Sequence, residues 1–416
     1  MSAQPATQHR RLTQTEVDII CTKHDRLWAA RPGGARAVFS WCDLTGLDLR
    51  GRNLSDADLT GAILADCRMK GAKLDHATLY CADLQHADLT EASLKRADLR
   101  GACLRGADLS GADLFEADLR EGSVAKADSK MGYRMIEAGR KETEAHGVIL
   151  AGANLERSRL SGVVAIKADF TDAVLKDAKL VRANLKQATM TGCNMAGADL
   201  SGADFAGADL RDAILVGANM TSCAFDDAMM EGVLTDKARA NVGILPYAEM
   251  LMAHAQWCES AGAQGKPSTF DGADLRALSS IKGYNLTALS AKGAVFYGLN
   301  MEGVQLQGAQ LEGADFRSAN LRRADLRGAR LSRAKLNGAD LREALMGPLL
   351  LGKDRVLPCD LSRAMIKNAD LRGADLRRAI LAHADLTRSD LTGALIRETD
   401  LTDIEARGVK GLEIQI

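Results

Sequence analysis

The sequence predicts an all-β solenoid, a chain that turns a corner every five residues and stacks its coils along one axis. Three observations predict it. An apolar residue returns at every fifth position from Phe39 onward, through Leu44, Leu49, Leu54, Leu59, Leu64, Met69 and Leu74. Two residues before each stands a small side chain, and all thirteen such positions from Ala57 to Ala117 are alanine or cysteine. The composition agrees: 39 glycines and only 4% aromatic residues in 416 suit a narrow core better than a ring-filled globular one.

A period of five matches neither a helix of 3.6 nor a strand of 2, and it excludes a coiled coil. With a corner in every unit, the small and the large side chain both point inward, the small one near the bend and the large one at the centre. The residue between them is usually aspartate, and the two that follow are polar or glycine. Backbone groups then pair between successive coils at ~4.8 Å. The aspartates recur everywhere, which marks them as structural, satisfying backbone groups near the corners.

The first block runs from Phe39 to Val124, and the pattern resumes in a new phase from Leu150 to Met230, with alanine or cysteine at every small position from Ala168 to Ala228. It restarts at Phe270 and Leu275, gains one residue, and runs from Leu286 to Leu401. That last run keeps its phase through GPLLLGKDRVLPC, where Leu351 and Val356 fall on the central position. Units such as ADLSG, ADLRG and ANLKQ resemble the pentapeptide repeat family, whose consensus is A(D/N)LXX, over about three quarters of the chain. The resemblance implies a right-handed quadrilateral β-helix with four pentapeptides per coil. Residues twenty apart then stack, which pairs Phe205 with Phe225 and Phe296 with Phe316. Four units per coil give about fifteen coils, or ~70 Å in total.

Two helices break the pattern. Thr13 and Glu16 form a capping box, and Val17, Ile20, Cys21, His24, Leu27 and Trp28 follow at helical spacing on one face. Pro32-Gly33-Gly34 ends that helix. At one constant offset along the chain, Tyr247, Met250, Leu251, His254, Trp257 and Cys258 repeat the face behind Pro246. Each helix precedes a phenylalanine at the first central position, so we read a duplicated module of cap and solenoid. The cap covers apolar core and open backbone edges at the end coil, and Trp28, His24, Trp257 and His254 are its expected packing residues. The organisation expected is a flexible stretch 1–12, a cap and link 13–37, a solenoid 38–129 and a loop or short helix 130–147. A second solenoid 148–235, a linker and cap 236–268, a third solenoid 269–404 and a tail 405–416 complete it.

No residue set carries catalytic chemistry. Cys42, Cys67, Cys193, Cys223 and Cys359 take the small inward position, Cys103 replaces an aspartate, and Cys21 and Cys258 belong to the capping helices. His76 and His86 stand ten residues apart, on opposite faces, and cannot share a metal. There is no nucleophile elbow, P-loop, dinucleotide fingerprint or HExxH helix, and no cofactor or metal is implied. No run of 18 apolar residues predicts a membrane span, and without a signal-type N-terminus the expected location is cytoplasmic.

Charge is uneven. Residues 40–120 carry 14 acidic and 10 basic side chains, 150–235 carry 11 and 8, and 316–397 carry 9 and 17. On a twenty-residue coil Arg322 stacks with Arg342, and Arg323 with Arg363 across Glu343, while other faces carry Arg327 with Lys367 and Arg377 with Arg378. The expectation is a non-enzymatic, intracellular protein-binding scaffold that uses these residues as its interaction surface. The alternatives are a DNA-mimic modulator of a topoisomerase through the mildly acidic half, or phosphate-backbone binding through the basic half. The near-neutral total and the basic second half depart from the acidic DNA-mimicking members of the family.

Overall fold

Four pentapeptides close each coil. The computed structural model describes residues 9–122, 125–128, 132–135, 142–236, 246–278, 280–352 and 355–412, and it divides into two compact units, Met1–Asp236 and Lys237–Ile416. In unit 1 Asp43 bridges in parallel to Ile63, and Asp83 to Cys103, one four-unit coil on. Leu44 N–H donates to Ile63 O at 2.8 Å, and Ile63 N–H donates back to Cys42 O at 2.9 Å. Within the coil Leu47 N–H donates to Leu44 O at 3.0 Å, closing a turn around Gly46, whose φ is +74°. The position two after each central residue is therefore left-handed, as in a type II turn. Glycine suits it, and His76, at φ +58°, shows that side chains also occupy it.

The aspartate before each central residue binds the corner. Asp43 Oδ1 accepts from Thr45 N–H at 2.9 Å and Asp58 Oδ1 from Thr60 N–H at 3.0 Å. Arginine at the same outward place adds a second bond: Arg50 Nη2 holds Asp48 Oδ2 at 2.6 Å, and Arg211 holds Asp209 likewise at 2.6 Å. Inside, alanine and leucine alternate with no solvent contact. Both predicted ring pairs stack, Phe205 on Phe225 at 5.2 Å and Phe296 on Phe316 at 4.7 Å, with planes within 5°. Cys67, Cys193 and Cys359 are buried, and Cys42 and Cys223 half-buried, at alanine positions. Burial pushes the Cys67 thiol up to about 11, and it donates to Leu44 O. Cys193 and Cys359 shift in the same direction for the same reason.

The first coil's open edge is closed by named groups. Residues 9–12, expected to be flexible, instead carry β1 (Arg10–Arg11), which pairs in parallel with β2 (Cys42–Asp43) and buries Leu12. Helix α1 (Gln14–Trp28) opens on the predicted capping box, Thr13 N–H donating to Glu16 Oε2 at 2.8 Å. Gln14 then imitates a strand, giving to Asp48 O at 3.0 Å and accepting from Asp48 N–H at 2.9 Å. Gly34 lies so close to α1 that a Cβ there would sit 2.4 Å from Leu27 N. The helix touches the narrow coil along one stripe, Val17, Cys21 and His24. Leu27 and Trp28, expected on the buried face, overhang it, and Trp28 is 52% exposed.

Two insertions leave the coil, and both differ from expectation. Cys103 bridges to Glu144, so the chain between them runs just over one coil's length beyond the regular spacing. The added stretch contains an antiparallel pair: β3 (Ala125–Asp128) lies where the solenoid was expected to continue to 129, and β4 (Gly132–Met135) where a loop or short helix was expected. The coil resumes at Thr143, before the expected 148: its hydroxyl accepts from Gly101 N–H at 3.1 Å and donates to Arg120 O at 2.9 Å. The central residue there is Ala145, too small to announce itself. Val124 lies outside the described residues.

In unit 2, α2 (Tyr247–Glu259) follows Pro246 and packs Leu251 and His254 inward. The single extra residue is present: Asp274 bridges to Val295, one place beyond a regular coil, and Ser280 bridges to Asn300 at the regular spacing. The second insertion is a hairpin, β5 (Leu349–Leu350) paired with β6 (Val356–Leu357). Arg330 bridges to Asp360, a coil and a half on, so the insertion adds two whole pentapeptide periods and leaves the phase untouched. Leu351 and Val356 are therefore exposed on the hairpin and not central. The coil also continues beyond 404, since Asp390 bridges to Lys410; Ala406 holds the central place, and no leucine marked it.

Candidate interaction surfaces

The cap histidines do the same work twice. His24 Nδ1 accepts from Ala37 N–H at 3.1 Å, and its Nε2 donates to Ser55 O at 2.9 Å. His254 Nδ1 accepts from Ser268 N–H at 3.1 Å, and its Nε2 donates to Thr287 O at 3.2 Å. An acceptor at Nδ1 fixes the neutral tautomer. Trp28 stands edge-on to His24 with ring centres 6.5 Å apart, and Trp257 lies 5.8 Å from His254. These are positioning bonds to backbone.

Burial lowers the pKa of His254. Its folded value lies below the unfolded one, so the stability it contributes is present above ~6.5 and lost as pH falls towards the folded value. Urea midpoints at pH 7.5 and 5.5 are expected to fall more on acidification in the parent than in His254→Gln, which removes the titrating ring. Equal falls would contradict the assignment.

The four walls of unit 2 carry the sequence-predicted surface residues, and the hairpin redistributes them. On the wall above Ile281, Arg322 and Arg342 occupy one column, and Arg323 stacks on Glu343, with Arg323 N–H donating to Arg342 O. The next coil on that column presents Gly373, not Arg363: Arg333 N–H donates to Ser362 O, which seats Arg363 on Arg333 on the Phe270 wall. Arg327 and Lys367 likewise part. Lys367 stacks on Asn337, whereas Arg327 shares the Leu286 wall with Arg377 and Arg378. A twenty-residue rule fails across 347–356 because two extra pentapeptides turn the column by two walls.

Most of these cations already hold a carboxylate. Glu343 accepts from Arg323 at 2.7 Å and Arg322 at 2.9 Å, and those two bonds, Arg323 first, hold its carboxyl below the usual range. Arg342 binds Asp340 at 2.5 Å and approaches Asp370 at 3.5 Å. Arg327 binds Asp325, Arg377 binds Asp375 and Arg378 binds Glu398, at 2.6, 2.7 and 2.6 Å. Lys367 lies 3.3 Å from Asp385. Arg363 has no carboxylate partner among the described residues. The basic excess is thus mostly a lattice of local pairs, worth little each at the surface.

Sequence reasoning missed the hairpin. Leu349 and Leu357 face the wall, where Gly328 leaves room: a Cβ there would come within 2.7 Å of Leu349 Cβ. Their neighbours in the two strands face out, Leu350 at 71% exposure and Val356 at 49%, with Leu351 and Leu345 beside them. The hairpin walls a cleft of about 630 Å³ in which Leu345 and Leu350 meet Arg377, Arg378, Arg397 and Glu398. The only sequence signal was five large aliphatics in a stretch without alanine.

Among the described residues no His, Cys, Asp and Glu group could hold a metal ion, and no helix is long and apolar enough to cross a membrane. What the geometry defines is a repeat protein whose extended outer walls are its chemistry. The pentapeptide repeats sequence pattern matches eight times, over residues 53–90, 92–128, 142–177, 168–207, 203–233, 285–317, 309–346 and 359–403. The chain belongs to the pentapeptide repeat family, and its units are right-handed quadrilateral β-helices. No curated protein sequence matches it.

Solved structures that it resembles include a pentapeptide repeat protein from the Arabidopsis thaliana thylakoid lumen, 30% identical over 28% of this chain and 66% of that one, with a TM-score of 0.21. That match spans just under two thirds of the plant protein. Rfr23 of the cyanobacterium Cyanothece is 26% identical over 34% of this chain and 88% of its own, TM-score 0.21. HetL of the cyanobacterium Nostoc, involved in heterocyst differentiation regulation, is 22% identical over 93% and 95%, TM-score 0.13. At such scores the family assignment rests on the repeats.

Proposed function

We propose that the chain is a protein-interaction scaffold, and that unit 2 docks a protein partner on the ledge formed by hairpin β5–β6 and the arginines of the Leu286 wall. The observation that carries this reading is the outer face of the hairpin. Leu350, Leu351 and Val356 are held in water by an insertion that the coil itself does not need. Isolated exposed aliphatics are ordinary, but a cluster on a projecting ribbon marks a contact site. Beside it Arg327, Arg377, Arg378 and Arg397 outnumber Asp325, Asp375 and Glu398, so the partner surface is apolar at its centre and acidic at its rim.

The same ion pairing weighs against both nucleic-acid readings. A phosphate backbone would have to displace Asp340, Asp370 and Glu343 from their arginines, and the aspartates of unit 1 are engaged at corners and by Arg50, Arg100, Arg120 and Arg211. Replacing Leu350 and Val356 together with glutamate is expected to abolish recovery of a stoichiometric partner from native cytosol while the thermal unfolding midpoint stays within about 2 °C. Partner recovery undiminished by that change would overturn the assignment.

A further inference from the structure

We infer that the Phe270 wall of unit 2 carries a site for a phosphate monoester, presented by a phosphorylated protein segment, between Ser332–Arg333 and Ser362–Arg363. This rests on the reading of unit 2 as a protein-binding body.

Many arginines of the repeat hold a carboxylate, and these two do not. An arginine one place after the central residue finds its own aspartate two residues back, as Arg372 finds Asp370 at 2.6 Å. An arginine two places after the central residue can reach a glutamate on the next coil, as Arg323 reaches Glu343 and Arg378 reaches Glu398. Arg333 and Arg363 occupy that second place, with φ +59° each. Above Arg333 the next coil puts Arg363, and above Arg363 it puts His383, as Arg333 N–H to Ser362 O and Arg363 N–H to Ala382 O fix. Like charges on neighbouring strands are destabilising, yet neither guanidinium has a carboxylate partner among the described residues. Arg330, where aspartate usually precedes the central residue, adds a third cation without one.

Neither the Ser332 nor the Ser362 hydroxyl has a hydrogen-bond partner among the described residues. At several corners the hydroxyl of a serine or threonine also donates to the aspartate, as Ser110 does to Asp108 at 2.6 Å and Thr402 to Asp400 at 2.7 Å. Ser362 gives only its backbone N–H to Asp360, and Ser332, preceded by Arg330, has no aspartate to serve. Gly313 occupies the column before Arg333, and a Cβ there would touch nothing within 4 Å. The outcome is a cleft of about 410 Å³ lined by Glu312, Ser332, Arg333, Asp360, Ser362 and Arg363.

Two forks and two hydroxyls supply more donors than a carboxylate can use, and they suit the three oxygens of a phosphate dianion. The cleft also holds an acceptor. Glu312 Oε2 lies out of solvent with no hydrogen-bond partner, which asks for a donor close to the anion. A phosphoserine backbone N–H provides one. A nucleic-acid phosphodiester provides none, carries half the charge, and would meet Glu312 and Asp360 without compensation.

The test titrates the capped peptide acetyl-Gly-Ala-phosphoserine-Ala-Gly-amide into the full chain, following the 31P resonance. Binding is expected to depress the second phosphate ionisation, to be absent for the serine peptide, and to weaken about tenfold or more in Arg333→Gln/Arg363→Gln. That variant should melt no lower than the parent, because it removes stacked like charges. Arg372→Gln, whose arginine is paired, should leave affinity unchanged. Glu312→Ala should weaken the peptide and strengthen inorganic phosphate. Equal binding of the serine peptide, equal loss in Arg372→Gln, or a 20-base-pair duplex binding in preference to the peptide would each overturn the site. If the hairpin-dependent partner is recovered and the peptide does not bind, only this site falls; loss of both removes the scaffold reading too.

Discussion

Phe316→Ala is expected to lower the unfolding free energy of unit 2 by ~3–5 kcal/mol, whereas Phe115→Ala lowers that of unit 1 by less than ~1 kcal/mol. The two rings differ only in their place within the five-residue unit. Phe316 is central, without solvent contact, and lies 4.7 Å above the parallel ring of Phe296. Truncation removes the transfer energy of the ring and leaves a void that the rigid neighbours above and below cannot fill, because each coil is hydrogen-bonded to both. The ring stack adds ~0.5–1.5 kcal/mol. Phe115 stands one place later, half-exposed on the wall, with its N–H held by Asp113. Urea unfolding followed by far-UV circular dichroism reads both changes. A Phe316→Ala loss below about 1 kcal/mol would mean the core closes around the gap and would contradict the packing described.

The same logic explains what the sequence disclosed. Leucine at every fifth place and alanine two before it are imposed by a core too narrow for anything else, so the coil, its period and the Phe296–Phe316 stack were all legible. The caps were legible through Thr13 and Glu16 and through the offset that relates His24 to His254. Reading failed where residues carry no core constraint. The hairpin insertion has a length of two periods, so Leu351 and Val356 kept the phase of the core while standing in water. That single misreading moved Arg363 and Lys367 by two walls and joined Arg323 with Arg363, and Arg327 with Lys367, in columns that the coil does not build. Ala145 and Ala406 hid two stretches of coil for the opposite reason, being core residues too small to be counted. The unpaired state of Arg333 and Arg363 depends on which residue the next coil supplies, and only the register that joins Arg330 to Asp360 reveals it.

Arg317→Ala is the second large effect, expected at ~3–5 kcal/mol, whereas Arg372→Ala is expected to leave stability essentially unchanged. Both arginines follow the same spelling, aspartate two places before, and make the same fork, Nε to one aspartate oxygen and Nη2 to the other, at 2.9 and 2.6 Å for Arg317 with Asp315. Their surroundings decide the cost. Arg317 is 1% exposed and Asp315 6%, whereas Arg372 lies in water. Removing Arg317 strands a carboxylate out of solvent, and neither water nor another cation repays its desolvation. Removing Arg372 leaves Asp370 solvated and still 3.5 Å from Arg342. Three variants separate charge from volume. Arg317→Met keeps the bulk and leaves Asp315 stranded, so most of the loss remains. Arg317→Met/Asp315→Asn removes the charge on both sides and recovers most of it, since an apolar filling can match a buried pair. If Arg317→Ala and Arg372→Ala cost the same, the Asp315–Arg317 pair is solvated in solution and its burial has no energetic weight. If the double variant recovers nothing, the loss arises from Arg317 contacts other than its ion pair.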